Sequence, residues 1–144
     1  MKRYKSLFNE YEDYVGGHQA PTNDGYNAPL YDASRDIYPD DIYTDPMAWN
    51  YYGHGGDIRS IDKETINIIR AYKDKPNDTI EIYRAVPKGI KGINRGDWVT
   101  INKRYAKIHG ESPLKGNYDI ISKKVKAKEL WTDGNSIHEW GYDK

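Results

Sequence analysis

Residues 79–86 constrain the fold of this 144-residue chain most, because their apolar side chains recur at every second position. Ile80, Ile82 and Val86 would lie on one face of a β-strand, and the remaining position of that face is Arg84. Burying a guanidinium among apolar side chains costs free energy unless an anion meets it. Two interpretations of Arg84 therefore stay open: a structural pairing with a carboxylate of the fold, or a side chain that holds an anionic ligand in a cleft.

The composition limits the class of protein. A chain of 144 residues predicts a single domain over residues 1–144 with one hydrophobic core. The mean hydropathy is -0.98, but 14 Tyr and 4 Trp supply large apolar bodies from which a core can be built. The absence of Cys excludes disulfides and Cys-type zinc sites. No apolar run approaches a membrane span or a signal-peptide core, so we expect a soluble, cytoplasmic protein.

The charges are balanced overall but unevenly distributed. Residues 1–62 contain 5 Lys and Arg against 11 Asp and Glu, and residues 63–144 contain the other 17 and 11, so the two parts carry -6 and +6. This asymmetry favours two parts that fold onto each other more than a nucleic-acid partner. A basic cleft that contacts the phosphates of a nucleotide also remains open.

The hydrophobic pattern divides the chain into three parts. In residues 1–17, apolar positions with helical spacing predict a helix over 4–15, which two glycines end. Residues 18–57 show no sustained period but many turn residues and aromatic side chains, which predicts an irregular coat or lid with a short helix near 46–52. Residues 58–144 are expected to contain a helix and the sheet.

The third part changes from helical to strand periodicity. A stripe of apolar positions predicts a helix over 61–72, with Ser60 or Asp62 as its cap and Pro76 beyond its end. Alternating patterns predict strands at 79–86, 97–101, 118–125 and 136–142, with a short helix at 102–109 after the second strand. Because the helices come first and most strands follow, the predicted fold class is α+β.

Three polar side chains stand at or near the ends of predicted strands: Arg84, Thr100 and Glu139. An arginine for phosphates, a hydroxyl for orientation and a carboxylate beside a developing cation are the groups that cleavage of a nicotinamide–ribose bond needs. Such a bond breaks through an oxocarbenium-like transition state, which a fixed carboxylate stabilises. A guanidinium can bind pyrophosphate through two parallel hydrogen bonds. This chemistry requires no metal.

The order of these residues resembles the Arg–Ser/Thr–Glu signature of mono-ADP-ribosyltransferases of the bacterial-toxin type. The flanking sequence is more similar to ADP-ribosyltransferase-like domains embedded in large proteins of phages and mobile elements. The similarity begins near residue 17 and is strongest in these segments: Tyr-Arg-Ala-Val-Pro-Lys-Gly at 83–89, Gly-Asp-Trp-Val-Thr at 96–100, and Ser-Ile-His-Glu-Trp-Gly-Tyr-Asp at 136–143.

The resemblance implies a split β-sandwich around an NAD cleft. It implies that Arg84 anchors NAD, that Thr100 belongs to the strand that shapes the cleft and that Glu139 is the catalytic carboxylate. Tyr105, on the helix after Thr100, could stack on nicotinamide or pack in the core, and His18 could reach the ligand or make a structural hydrogen bond. NAD would be a substrate, and a host protein would accept ADP-ribose, as in phage takeover or counter-defence.

Ile137 departs from the arginine-modifying members of that family. They commonly carry Glu or Gln two residues before the catalytic Glu, where this chain has Ile137. An apolar side chain cannot hydrogen-bond an acceptor guanidinium, so arginine is in doubt as the modified residue. Two alternatives stay open: a degenerate ADP-ribosyltransferase fold that acts as a binding or inhibitor protein, and an NAD glycohydrolase with water as acceptor.

The histidines and the glycine-rich segment have structural interpretations. The spacing of His18, His54, His109 and His138 matches no zinc motif, so no metal site is expected. His138 should point away from the cleft if Glu139 points into it, because the side chains of a strand alternate. The glycine-rich residues 53–56 lack the ending of a phosphate-binding loop and are interpreted as a flexible connection.

Overall fold

The computed structural model of the protein describes residues 19–111 and 115–144. Within them lie three α-helices: α1 (Ala48–Tyr52), α2 (Arg59–Ala71) and α3 (Lys103–Glu111). The predicted helix over 4–15 and the candidate ligand residue His18 lie outside the described residues. Among the described residues, no helix has both the length and the apolar character that a membrane span requires.

The strands form two antiparallel sheets. The two-stranded sheet pairs β2 (Thr79–Pro87) with β4 (Tyr118–Lys126) along the whole length of both. The second sheet has the order β1-β5-β6-β3, and its strands are short: β1 (Ala28–Pro29), β3 (Trp98–Val99), β5 (Leu130–Thr132) and β6 (Trp140–Tyr142). Helices and antiparallel sheets in one chain agree with the predicted α+β class.

Among the described residues, a single isolated bridge joins the two sheets. The backbone N–H of Tyr83 in β2 donates to the carbonyl of Thr100 at 2.9 Å, and the N–H of Thr100 donates back to Tyr83 at 2.9 Å. Because Thr100 directly follows β3, this bridge places the middle of β2 beside the end of the four-stranded sheet. Arg84 is therefore one residue away from the junction.

Long alternating patterns predicted strands better than short ones did. The strands expected at 79–86 and 118–125 are present, each one residue longer. The strand expected at 97–101 is reduced to β3, and the one expected at 136–142 is reduced to β6 because residues 137–138 form a turn. β1 and β5 were not expected, since two or three residues are too few to show an alternation.

Helix α2 follows from its apolar stripe. Ile61, Ile66 and Ile69 are buried on the face that meets the core, and Thr65 lies with them, fully buried. The expected cap is wrong, because neither Ser60 nor Asp62 caps the helix start with its side chain. Asp62 is itself fully buried and binds other groups. A carboxylate in the first turn of a helix with no exposure must have specific partners.

The irregular residues 19–57 pack against the core. Leu30, Ile42 and Ala48 from this stretch are fully buried and join the main hydrophobic cluster. Two short 3-10 turns, Leu30–Asp32 and Asp40–Ile42, carry the first two of them. Irregular backbone is thus held by burial of its apolar side chains. Movement of this stretch as a lid stays a prediction.

Candidate functional site

The three motif residues converge where the sheets meet. In the register of β3 and β6, Trp98 lies opposite Gly141 and Val99 lies opposite Trp140. Thr100 follows Val99 and Glu139 precedes Trp140, so both lie at the same end of this strand pair, and Thr100 also bridges to Tyr83 in β2. Segments that are far apart in sequence thus bring the backbones of Thr100 and Glu139 to one end of the β3–β6 pair, and Arg84 follows Tyr83 along β2.

Arg84 is deeply buried on the apolar face of β2. Its side chain is 3% exposed. Burial lowers the pKa of its guanidinium, and the charge of Asp97 partly opposes this shift. Since neighbouring side chains of a strand alternate, Arg84 points to the face opposite to that of Tyr83. A cleft shared by the side chains of Arg84 and Glu139 therefore stays a prediction, although their backbones are close to the same junction.

Glu139 is held by a tyrosine on helix α3. The hydroxyl of Tyr105 donates to Oε2 of Glu139 at 2.6 Å, and both residues are 2% exposed. Nε2 of His109, one helical turn after Tyr105, lies 3.9 Å from the same oxygen. Burial, with smaller contributions from the charges of His54 and His138, lowers the pKa of His109 to about 4. The imidazole is neutral at pH 7, so this contact is not an ion pair.

A second set of buried polar groups surrounds His138, whose ring stacks on Tyr105. Nε2 of His138 lies 2.7 Å from Oδ1 of Asp62, and its Nδ1 lies 2.9 Å from the hydroxyl of Thr65. The side-chain amide of Asn102 donates to that hydroxyl at 3.2 Å. This order of donors requires the Nε2–H tautomer of His138, with Asp62 as acceptor and Thr65 as donor. The chain of hydrogen bonds links α2 to the turn before Glu139.

The strand alternation expected for His138 and Glu139 is not observed, because both side chains contact Tyr105. The His138 ring stacks on Tyr105, with ring centroids 4.4 Å apart, while Tyr105 binds Glu139. The alternation rule fails here because residues 137–138 form a turn rather than part of a strand. Consecutive residues can therefore direct their side chains toward the same tyrosine.

The glycine-rich residues 53–56 make hydrogen bonds both to helix α2 and to the segment before Glu139. The backbone N–H groups of His54 and Gly55 donate to the Asp62 carboxylate at 3.1 and 2.8 Å. Nε2 of His54 lies 2.8 Å from Oγ of Ser136. A Cβ added to Gly53 would lie 2.4 Å from Cγ of Asp62, so only glycine permits this approach. These contacts hold the segment against α2 and the turn before Glu139.

Pattern reasoning missed Asp62, Thr65 and His138 as members of the site. His138 is 76 residues from Asp62 and 73 from Thr65, so no local spacing relates them. The one available signal was the position of Asp62 and Thr65 on the apolar side of a predicted helix. Within the part of the chain that the structure describes, no group of three or more potential metal ligands is arranged to hold an ion.

Comparisons of the chain with protein-family models, with curated proteins and with solved structures found no match. The geometry and chemistry of the residues described above are therefore the basis for a functional proposal.

The buried histidines predict an acid-sensitive fold. His109 has a folded pKa of about 4 against 6.5 for the free side chain, so between these values the unfolded chain binds a proton that the folded chain does not. We expect the free energy of unfolding to fall by about 3 kcal/mol as the pH drops from 7 to 4. Burial also lowers the pKa of His138, which acts in the same direction. Urea unfolding at a series of pH values measures this slope.

His109→Phe is the matched variant for that measurement. It keeps an aromatic ring against Tyr105 but removes the titrating nitrogen, so its stability should depend less on pH between 6.5 and 4. A slope equal to that of the wild type would contradict the assignment of this acid sensitivity to His109.

Proposed function

We propose that the protein is an NAD-dependent mono-ADP-ribosyltransferase that modifies a host macromolecule. The observation that carries the proposal is the placement of Glu139: its carboxylate is buried, bound by the Tyr105 hydroxyl at 2.6 Å, and directly before the β6 residue that pairs with β3, near the junction of two sheets. A fixed negative charge in a water-poor site stabilises a developing cation better than a solvated one does. Two antiparallel sheets joined at one point are compatible with the split β-sandwich that the sequence resemblance implies.

In the proposed reaction, the bond between nicotinamide and C1′ of the ribose breaks, and its electron pair leaves with neutral nicotinamide. The carboxylate of Glu139 stabilises the positive charge on the ribose. A nucleophile of the acceptor then forms a bond to C1′ and loses its proton. Arg84 would bind a phosphate of NAD, and Thr100 and Tyr105 would line the nicotinamide side. His18, outside the described residues, keeps its proposed place beside the ligand.

The acceptor is proposed to be a host protein modified at a side chain other than arginine. Ile137 is fully buried in the hydrophobic core, so it does not reach a docked acceptor. A Glu or Gln oxygen at this position would accept hydrogen bonds from a guanidinium, and isoleucine has no group that can do so. With water in place of the acceptor, the same chemistry would give an NAD glycohydrolase.

One observation favours a second candidate, a binding or inhibitor protein built on this fold. Arg84, Thr100 and Glu139 are at most 3% exposed. NAD can reach them only if the residues around them are displaced. A protein whose former catalytic residues had become core residues would show the same burial, and would bind its partner without NAD.

The test is nicotinamide release from NAD by the purified protein, with and without host lysate, together with mass spectrometry of the lysate proteins. We expect release that depends on lysate and a mass increase of one ADP-ribose on a host protein. Equal release without lysate would indicate the glycohydrolase instead. No release and no thermal stabilisation by NAD, with a lysate partner still bound, would support the binding protein.

Arg84→Lys tests the phosphate contact. Lysine keeps the charge but cannot form two parallel hydrogen bonds to pyrophosphate. We expect the KM for NAD to rise about 10-fold, which corresponds to ~1.4 kcal/mol of lost binding. Arg104→Lys is the matched control, because Arg104 is exposed and pairs with Glu64. An unchanged KM in Arg84→Lys would indicate that Arg84 has a structural role and does not bind NAD.

A further inference from the structure

Glu139 stands at the end of an irregular turn, which by itself would position a side chain loosely. Residues 137–138 form the turn, and β6 begins only at Trp140. Two local hydrogen bonds shape it: the backbone N–H of His138 donates to Oγ of Ser136 at 3.1 Å, and Nε1 of Trp140 donates to the carbonyl of Ile137 at 2.9 Å. Neither bond links the turn to a helix. His138 provides the link between the turn and helix α2.

Asp62 anchors His138 to helix α2. Both side chains are fully buried, and the carboxylate accepts three hydrogen bonds, from Nε2–H of His138 and from the N–H groups of His54 and Gly55. Charge-assisted bonds of this kind are short and directional. Thr65 binds the other nitrogen of the ring from the next turn of α2, so the imidazole has one orientation and one tautomer.

The imidazole in turn fixes the residue that binds Glu139. Its ring lies almost parallel to that of Tyr105, with an interplanar angle of 15° and a centroid distance of 4.4 Å. Helix α3 carries Tyr105, whose hydroxyl donates to Oε2 of Glu139. His138 thus contributes to both partners of the hydrogen bond between Tyr105 and Glu139. It belongs to the turn that precedes Glu139, and its ring packs against the tyrosine that binds the carboxylate.

From this geometry we infer that Asp62 and His138 are positioning residues for Glu139, a role that rests on the proposed function. In this role Asp62 and His138 do not contact the substrate themselves. They act through Glu139, by fixing the direction of the Glu139 carboxylate. A displacement of about 1 Å in a catalytic group can cost on the order of 100-fold in rate. Their loss is therefore expected to lower kcat and to leave the KM for NAD nearly unchanged.

Two substitutions of His138 separate positioning from simple packing. The amide nitrogen of His138→Gln can replace Nε2 and still donate to Asp62, and its planar amide can lie against Tyr105 where the ring did, whereas the amide of His138→Asn reaches only as far as Nδ1. We expect His138→Gln to keep kcat within about 5-fold of the wild type and His138→Asn to lose about 50-fold, an expectation scaled to the cost of misplacement. A purely structural role would destabilise both variants and leave kcat per folded molecule equal in both.

Asp62→Asn and Ile69→Val complete the set. Asp62→Asn should behave like His138→Asn, while Ile69→Val, a buried change on the same helix that removes no hydrogen bond of the polar chain, should lose stability but not kcat. The second readout is independent of activity: the ¹³Cζ NMR resonance of Tyr105, assigned with Tyr105→Phe, should shift in Asp62→Asn, which keeps the imidazole, but not in Ile69→Val. Because both His138 variants remove the stacked ring, the resonance should shift further in His138→Asn than in His138→Gln.

The outcomes distinguish this inference from the proposed function. A wild-type protein that releases no nicotinamide counts against the proposed function, and the Tyr105 resonance then decides the positioning alone. A resonance that stays in place in folded Asp62→Asn or His138→Asn overturns the inference, as does an unchanged kcat in an active protein. Should Asp62→Asn fail to fold, the two His138 variants give the same decision.

Discussion

Replacing Glu139 by glutamine is expected to lower nicotinamide release about 1,000-fold, the cost of removing a charge that stabilises a transition state. The amide has nearly the shape of the carboxylate but carries no negative charge. Its oxygen can still accept the hydrogen bond from Tyr105, so the buried contact at 2.6 Å has a substitute. We therefore expect the fold and the binding of NAD to be largely kept while turnover is lost.

The measurement is single-turnover nicotinamide release together with NAD affinity by calorimetry. Glu81→Gln is the matched control, since the same chemical change falls on an exposed carboxylate of β2, three residues before Arg84. That variant should be as active as the wild type. Normal turnover in folded Glu139→Gln would refute the catalytic role of Glu139 and the proposed reaction with it.

The second large effect concerns stability and does not depend on the proposed function. Trp140→Ala is expected to lower the free energy of unfolding by about 4 kcal/mol. Trp140 is fully buried, belongs to the core cluster and lies in β6, between β5 and β3. Alanine would leave a large cavity there and remove the indole N–H that binds the carbonyl of Ile137.

Two further variants divide this loss into its parts. Trp140→Phe keeps most of the packing but leaves the Ile137 carbonyl without its indole donor, so it should cost about 1–2 kcal/mol. Trp49→Ala makes the same large-to-small change at a half-buried position, where Lys63 covers the ring, and should cost less than half of the Trp140→Ala loss. Urea unfolding compares the three. Equal losses at both tryptophans would contradict the placement of Trp140 at the centre of the core.

The periodicity of apolar residues predicted the long strand and the long helix, whose formation depends on neighbouring residues in the sequence. The strand around Arg84 and the helix around Ile66 were predicted because several consecutive residues share one periodicity. The strand predicted over 136–142 was too long, because residues 137–138 form a turn and only Trp140–Tyr142 pair with neighbouring strands. Strands of two or three residues exist only because neighbouring strands offer hydrogen bonds, so β1 and β5 left no pattern to detect.

The sequence by itself determined the α+β class and the candidates Arg84, Thr100 and Glu139, because residue type and order carry that information. Only the tertiary structure decided which side chains meet. It brought Thr100 and Glu139 to the same end of the β3–β6 pair, gave Glu139 its Tyr105 partner, and paired Asp62 with His138 across 76 residues. The physical reason is that burial makes a polar group find partners wherever the fold brings them, independently of distance along the chain.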